Sequence, residues 1–245
     1  MRLSEATWTE VADLDTELAV LPVGSTEQHG PHAPLGTDVI TGTQIAELGV
    51  EQYDGEAVIA PPLNVGIAEE HRHFPGTMWV TEDTFRDYLY ESTMSLAKQG
   101  FNRVIFVNGH GGNIDALREL AGSISRREPA YAVPFTWFES VDVNMGHGGP
   151  AETALIRHFD PDLVREEQVS NAREQGSDHW GEWIHGVNLA YDSAEFTENG
   201  VVGDPSTTTA EDGKDIANQA ADALADILEA VANRDLSMPN QKQSN

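Results

Sequence analysis

Two short apolar runs, Leu18-Ala-Val-Leu-Pro-Val23 and Arg103-Val-Ile-Phe-Val107, each end abruptly in a polar loop rich in glycine. Neither run alternates apolar with polar residues, and neither is long enough for a core helix. Both therefore read as strands buried on two faces, which need helices above and below them and belong to a parallel sheet. The first opens into Gly24-Ser-Thr-Glu-Gln-His-Gly-Pro-His and reaches Asp38; the second opens into Asn108-Gly-His-Gly-Gly-Asn113.

The segments between them fit this frame. A short amphipathic helix is expected from Thr7 to Asp15, with Trp8 in the core, and a second from Val39 to Val50. Ala57 to Ala60 reads as a buried strand stopped by Pro61-Pro62, and Thr81 as the cap of a helix that ends at Gly100. A helix from Ile114 to about Arg126 precedes a fourth strand, Tyr131 to Trp137, whose Pro134 argues for a sheet edge or a strand end. Pro150 suits the first turn of a helix over Ala151 to Phe159. Residues 178–199 lack periodicity and read as irregular cover, and an apolar stripe marks a last helix from Thr209 to Ala232. The reading is an α/β fold with a mostly parallel central sheet, in one domain over 1–234, with a polar tail over 235–245 expected to be disordered. In such sheets ligands bind at the carboxyl ends of the strands, where the polar loops lie.

Those loops are crowded with acids and imidazoles. Glu27, His29 and Asp38 come from the first, His110 from the loop after 103–107, and His147 with Glu152 from the loop and helix start after the fourth strand. With no cysteine in the chain, any metal must be held by carboxylate and imidazole. Asp38 has two oxygens and could bridge two divalent ions, Glu27 and His110 completing one site and His29 and Glu152 the other. Such a pair polarises an amide carbonyl and lowers the pKa of a bridging water, giving a hydroxide nucleophile near neutral pH. Each residue alone has a structural reading: Glu27 as a helix cap, Asp38 as a charge at a helix N-terminus, Asn108-Gly-His as a turn. Their recurrence at several strand ends favours the joint metal reading. His32 reads as shaping the loop, and Glu69 and Glu70 as solvated acids. His71, Arg72, Trp137 and Trp180 are candidate pocket residues; Arg72 could meet a phosphate or pair with Glu69 or Glu70, and Trp137 could equally be core.

The charge balance narrows the partners. Forty-one acidic residues against 14 basic ones give a formal net charge of −27, which makes nucleic acid an unsuitable partner. The acids are spread along the chain, as expected for a protein working in a high-salt cytoplasm where their repulsion is screened. The first residues lack the basic and apolar regions of a signal peptide, and no apolar run approaches bilayer length. A cytoplasmic protein with no membrane partner is expected.

Taken together, Gly24-Ser-Thr-Glu-Gln-His-Gly-Pro-His, Leu35-Gly-Thr-Asp38, Glu70-His71 with Phe74-Pro-Gly-Thr77, Val107-Asn-Gly-His-Gly-Gly-Asn113, His147-Gly-Gly-Pro-Ala-Glu-Thr153 and Gly203-Asp-Pro205 resemble the creatininase family of metal-dependent amidohydrolases, in order and over nearly the whole chain. The resemblance implies a three-layer αβα sandwich, a binuclear centre of zinc, manganese or iron, and a homo-oligomer, a hexamer. Glu27, His29, Asp38 and His110 match family metal ligands, and His147 matches the histidine assigned to proton transfer. Two positions depart from creatininase itself. Gly112 stands where it has a glutamate ligand, which leaves Glu152 as the candidate fifth ligand, and Val143 stands where it has a lid tryptophan. The expected activity is hydrolysis of a non-peptide C–N bond (amide, cyclic amide or formamide) of a small molecule. Other branches resemble the chain in the same motifs: a formamide hydrolase acting on 2-amino-5-formylamino-6-ribosylaminopyrimidin-4-one 5'-phosphate in flavin and deazaflavin synthesis, and a peptidase that trims a redox-cofactor precursor. A non-catalytic metal-binding protein is the rival from another class, and a purely structural oligomer a further one.

Overall fold

The computed structural model describes residues 1–237. Helix α1 (Trp8–Ala12) precedes strand β1 (Leu18–Val23), which leads through the long polar loop into α2 (Thr37–Gln52) and β2 (Val58–Ile59). Then come α3 (Glu82–Lys98), β3 (Arg103–Asn108), α4 (Ile114–Arg127) and β4 (Tyr131–Thr136). The chain continues through α5 (Pro150–Phe159), α6 (Val169–Glu174), a small hairpin of β5 (Trp183–Ile184) and β6 (Val187–Asn188), and α7 (Ala210–Ala232). Hydroxyl caps fix several helix starts: Thr81 accepts from the Thr84 N–H, and Thr209 forms a reciprocal capping box with Asp212.

The two-residue alternation within the strands decides the layers. Leu18 and Val20 of β1 and Ile105 and Val107 of β3 face Ile45 of α2, Leu155 of α5 and Leu224 and Leu228 of α7. Their neighbours Ala19, Leu21, Val23, Val104 and Phe106 face the other way, against Phe85 and Leu89 of α3 and Leu117 and Ile124 of α4. Each Val, Leu, Ile or Phe among them contributes about 1.5–3 kcal/mol on burial, so a sheet this apolar on both faces is stable only when sandwiched. The result is the three-layer αβα arrangement. The sheet order is β2-β1-β3-β4, all parallel, with Leu18 opposite Arg103 and Val23 opposite Asn108. Strand β4, carrying Pro134, is an edge, as its proline required.

Three expectations need correction or restriction. Trp8 is 80% exposed, because α1 is too short to bury any of its residues. Residues 178–199 are not wholly irregular: they hold the β5–β6 hairpin and a single 3-10 turn at Ser193–Glu195. Of the tail, Asp235 accepts from the Ser237 N–H at 2.8 Å, and the rest of the expectation for 235–245 lies outside the described residues. Among the described residues no helix is long and apolar enough to cross a membrane.

Candidate metal centre

The sheet order reverses direction between β1 and β3, which places a crevice at their carboxyl ends. The first turn of α2 sits in that crevice and carries Asp38. Its backbone lies so close to the exit of β3 that a Cβ on Gly109 would meet the Asp38 carbonyl at 2.2 Å; only glycine permits the approach. The next residue, His110, is fixed by Asn108, whose side-chain amide donates to the His110 carbonyl at 2.7 Å while its oxygen accepts from the His110 N–H at 3.1 Å. The loop after β1 folds back over the strand ends through the Glu27 N–H to Leu35 carbonyl bond (2.9 Å), delivering Glu27 and His29. Glu152 enters from the first turn of α5, with one oxygen held by the Gly148 N–H at 2.6 Å.

These side chains converge. Asp38 Oδ1 lies 3.0 Å from His29 Nε2, which is 3.4 Å from Glu152 Oε1. Asp38 Oδ2 lies 3.3 Å from His110 Nδ1, which is 3.1 Å from Glu27 Oε1. Although so close, both Glu27 oxygens, Asp38 Oδ2 and His29 Nε2 are buried and make no hydrogen bond of good geometry with any described residue. Buried charges without partners are strongly destabilising, so atoms converging without bonding one another fit a shared cation. The other ring nitrogens are already engaged: His29 Nδ1 donates to the Glu27 carbonyl (3.2 Å) and His110 Nε2 to the Ile67 carbonyl (2.5 Å). Those bonds fix the ring orientations and aim the remaining nitrogens inward, as metal-bound imidazoles require. His, Asp and Glu atoms are thus positioned for a metal. Among the described residues three groups have ligand atoms within 4.8 Å of one another: Glu27, Asp38 and His110; His29, His147 and Glu152; and Glu27, His71 and His147.

The electrostatics follow from burial. Burial alone would hold His29 and His110 neutral, but Asp38 with Glu152, and Glu27 with Asp38, outweigh it and push both imidazoles well above their ordinary range. Asp38 is driven below the usual carboxylate range by those two imidazoles despite its burial. Glu27, fully buried, is raised to about 7. His147 and His71 go the other way: burial and neighbouring imidazoles hold both neutral. The rings of His29, His147 and His71 stack in that order, with centroids 4.4 and 4.2 Å apart. His147 Nε2 donates to the Gln28 carbonyl at 2.6 Å, so its Nδ1 faces Glu27, 3.7 Å away.

The centre floors a cavity of about 370 Å3 whose apolar wall includes Phe138, Met145 and Trp180. Of the expected pocket residues, His71 and Trp180 line it, and Trp180 also meets the rings of His71 and His147 edge-on. Trp137 does not: it is fully buried in the core beneath α2, α5 and α7. Arg72 does not either; its guanidinium donates to Asp192 at 2.7 Å and lies 3.6 Å from Glu69, outside the cavity. His32 is buried and bonds Thr153 Oγ1 at 2.9 Å, tying the first loop to α5. Sequence reasoning missed Glu70, read as a solvated acid. It faces the cavity with Oε1 3.7 Å from His110 Nε2, and burial raises its pKa. Its place beside His71 was the available signal.

The model of the creatininase family (creatinine amidohydrolase) matches residues 4–228. The chain belongs to the creatininase family. Within it, the mycofactocin precursor peptide peptidase of Mycolicibacterium smegmatis is 36% identical over 218 residues, covering 86% of this chain and 84% of that protein. The creatinine amidohydrolase of Pseudomonas putida is 30% identical over 197 residues, covering 68% and 75%. A solved zinc–zinc form of a mutant creatininase superimposes with a TM-score of 0.76 at 26% identity, covering 95% of this chain and 98% of that one. Membership of this family of amidohydrolases makes the chain an enzyme, a hydrolase acting on carbon–nitrogen bonds.

Proposed function

We propose that this creatininase-family protein uses two divalent ions (zinc, manganese or iron), held by Glu27, His29, Asp38, His110 and Glu152, to hydrolyse an amide-type C–N bond outside a peptide in a small molecule. The observation that carries this reading is the division of Asp38: Oδ1 faces His29 at 3.0 Å and Oδ2 faces His110 at 3.3 Å, each imidazole having its own glutamate. When bound, such ions polarise a carbonyl and acidify water. The chain's own residues do the rest. Glu152, oriented by the Gly148 N–H, and His29 hold one side, and Glu27 and His110 the other. His147, neutral through burial and with Nδ1 facing the centre, takes up a proton there and delivers it to the leaving nitrogen. Phe138, Met145 and Trp180 supply an apolar wall for the substrate.

The formylamino-pyrimidine nucleotide has less support. Among the described residues no lysine or arginine lines the cavity, and Arg72 is neutralised by Asp192. A second reading, trimming of a short peptide, is favoured by the 36% identity to a peptidase. Zinc-loaded and metal-stripped protein assayed on simple amides, cyclic amides, formamides and short peptides tests both. Turnover of non-peptide amides only when metal is present supports the proposal, turnover confined to peptides transfers it to the second reading, and equal turnover without metal breaks it.

Two further assignments accompany the activity. Trp183, Ile184, Val187 and Tyr191 on and beside the hairpin are 52–84% exposed, an apolar surface that supports self-association in a homo-oligomer. The charge of −27 supports a cytoplasm rich in salt. The melting temperature is expected to climb from low to molar KCl, and a flat profile would rule that out.

A further inference from the structure

Among the described residues, Glu70 is the one acid at the cavity wall that the metal reading leaves without a role. It sits in a single 3-10 turn, Glu69–His71, whose position is fixed from outside: Ser193 Oγ donates to the Glu70 carbonyl at 3.0 Å, and the Ile67 N–H donates to Asn113 Oδ1 at 3.0 Å. The carboxylate itself receives no hydrogen bond from another described residue; its nearest cationic neighbour, His110 Nε2 at 3.7 Å, spends its N–H on the Ile67 carbonyl. Gly112 provides the space: a Cβ there would stand 2.9 Å from Glu70 Oε1. A carboxylate with only His110 as a cationic neighbour among the described residues thus stands one imidazole's width from the atoms that face Glu27 and Asp38, beside an apolar wall and with no lysine or arginine among the described lining residues.

We propose that Glu70 is a specificity-determining residue, whose carboxylate receives a protonated amine carried next to the scissile carbonyl, so that the substrates are cationic amides and anionic ones are excluded. The proposal rests on the hydrolase reading for the position of the carbonyl. The chemistry favours a charge-assisted N–H to carboxylate bond in a partly desolvated cavity, while a substrate carboxylate or phosphate at the same place would meet the like charge of Glu70 directly, the ions of the proposed centre lying on the far side of the His110 ring.

A matched series tests this: phenylalaninamide, 3-phenylpropanamide and benzylmalonic monoamide share a benzyl group and a carboxamide, and differ only in an ammonium, a hydrogen or a carboxylate on the adjacent carbon. Binding is measured by calorimetry on zinc-loaded protein at a pH where the amine is protonated, with metal content and turnover measured on the same samples. The expected order is the cation at least tenfold tighter than the neutral amide, and the anion at least tenfold weaker. Glu70→Gln is expected to bring the cation-to-neutral ratio within threefold at unchanged metal content, with Glu70→Asp between. Any of three results overturns the proposal: an unchanged ratio in Glu70→Gln, which simple chelation of zinc by the amine would give; equal binding of anion and cation; or binding of none of the three by metal-loaded protein. Absence of turnover with the ratio intact breaks the hydrolase reading alone.

Discussion

The floor of the cavity and its rim are built on opposite terms. Glu27, His29 and Asp38 are at most 1% exposed, arrive from chain segments pinned by strand ends and a helix start, and have atoms that no described residue satisfies. At the rim, Arg72 and His73 share Asp192, with the Arg72 and His73 side chains 43% and 50% exposed, and the hairpin beyond lies largely in water. A buried floor acid left unpaired costs several kcal/mol, so the floor residues are locked to whatever they bind together. Rim charges have water as an alternative partner, and substitutions there are cheap. Chemistry is therefore held by the floor, and choice of substrate is open to the rim.

The strongest way to break this contrast is at Asp38, the group both halves of the floor share. Asp38→Ala is expected to lose metal from both positions and at least about 10^3-fold in turnover, checked by metal analysis and kinetics on one preparation. A metal-free variant that retains full activity would end the reading.

Next in size is the pH dependence of metal uptake. In metal-free protein His29 and His110 hold protons well above the ordinary imidazole range, and metal must displace them. Uptake should release protons, and affinity should fall by up to about 100-fold per pH unit on acidification below those raised values, roughly tenfold for each proton. Calorimetry in two buffers of different ionisation enthalpy counts the protons; a count of zero refutes the assignment. The same shifts set stability. Because the folded values lie above the unfolded one, their contribution is fully present below about pH 6.5 and is lost as pH rises through the folded values. The melting temperature of stripped protein should therefore fall on the alkaline side relative to zinc-loaded protein.

His32 gives a smaller effect of opposite sign. Burial, with help from His29 and Arg157, lowers it to about 4, so the folded state resists its protonation and stability is lost as pH falls from about 6.5 toward 4. Between pH 7 and 5 this group alone should remove about 2 kcal/mol. Urea unfolding of wild type and His32→Asn at both pH values checks it, the variant being expected to lose that much less. Parallel losses in the two proteins would refute the burial argument.

The floor was more legible in the sequence than the rim, for physical reasons. Short apolar runs at 18–23 and 103–107 permit only buried parallel strands, and parallel strands bring their following loops to one edge. The spatial approach of Glu27, His29, Asp38 and His110 follows from that. The rim depends on turns whose directions are set by tertiary contacts. Glu69 and Glu70 are alike in sequence, yet a 3-10 turn held by Ser193 leaves the Glu69 side chain 60% exposed and turns that of Glu70 inward at 21%. Trp137 could have been placed: carrying the alternation of β4 past Phe135 puts it on the same inward face, in the core, and the 3-10 turn at Trp137–Glu139 then brings Phe138 to the cavity. Arg72 was beyond reach, because its partner Asp192 is 120 residues away along the chain.

Arg72 also gives the smallest expected effect and the sharpest check on the rim. Its charge is divided between Asp192 and Glu69 in solvent-exposed pairs, and such pairs contribute about 0–1 kcal/mol. It does not line the cavity, so a substrate at the metal centre does not depend on it. Arg72→Ala should leave metal content unchanged, stability within about 1 kcal/mol, and binding of both 3-phenylpropanamide and a ribonucleotide 5'-phosphate within roughly twofold, since no charge-assisted contact of a few kcal/mol is removed. A selective tenfold loss for the nucleotide alone would show that this guanidinium leaves Asp192 to meet a phosphate. The rim would then hold an anion site after all, and the nucleotide formamide hydrolase reading would displace the one proposed here.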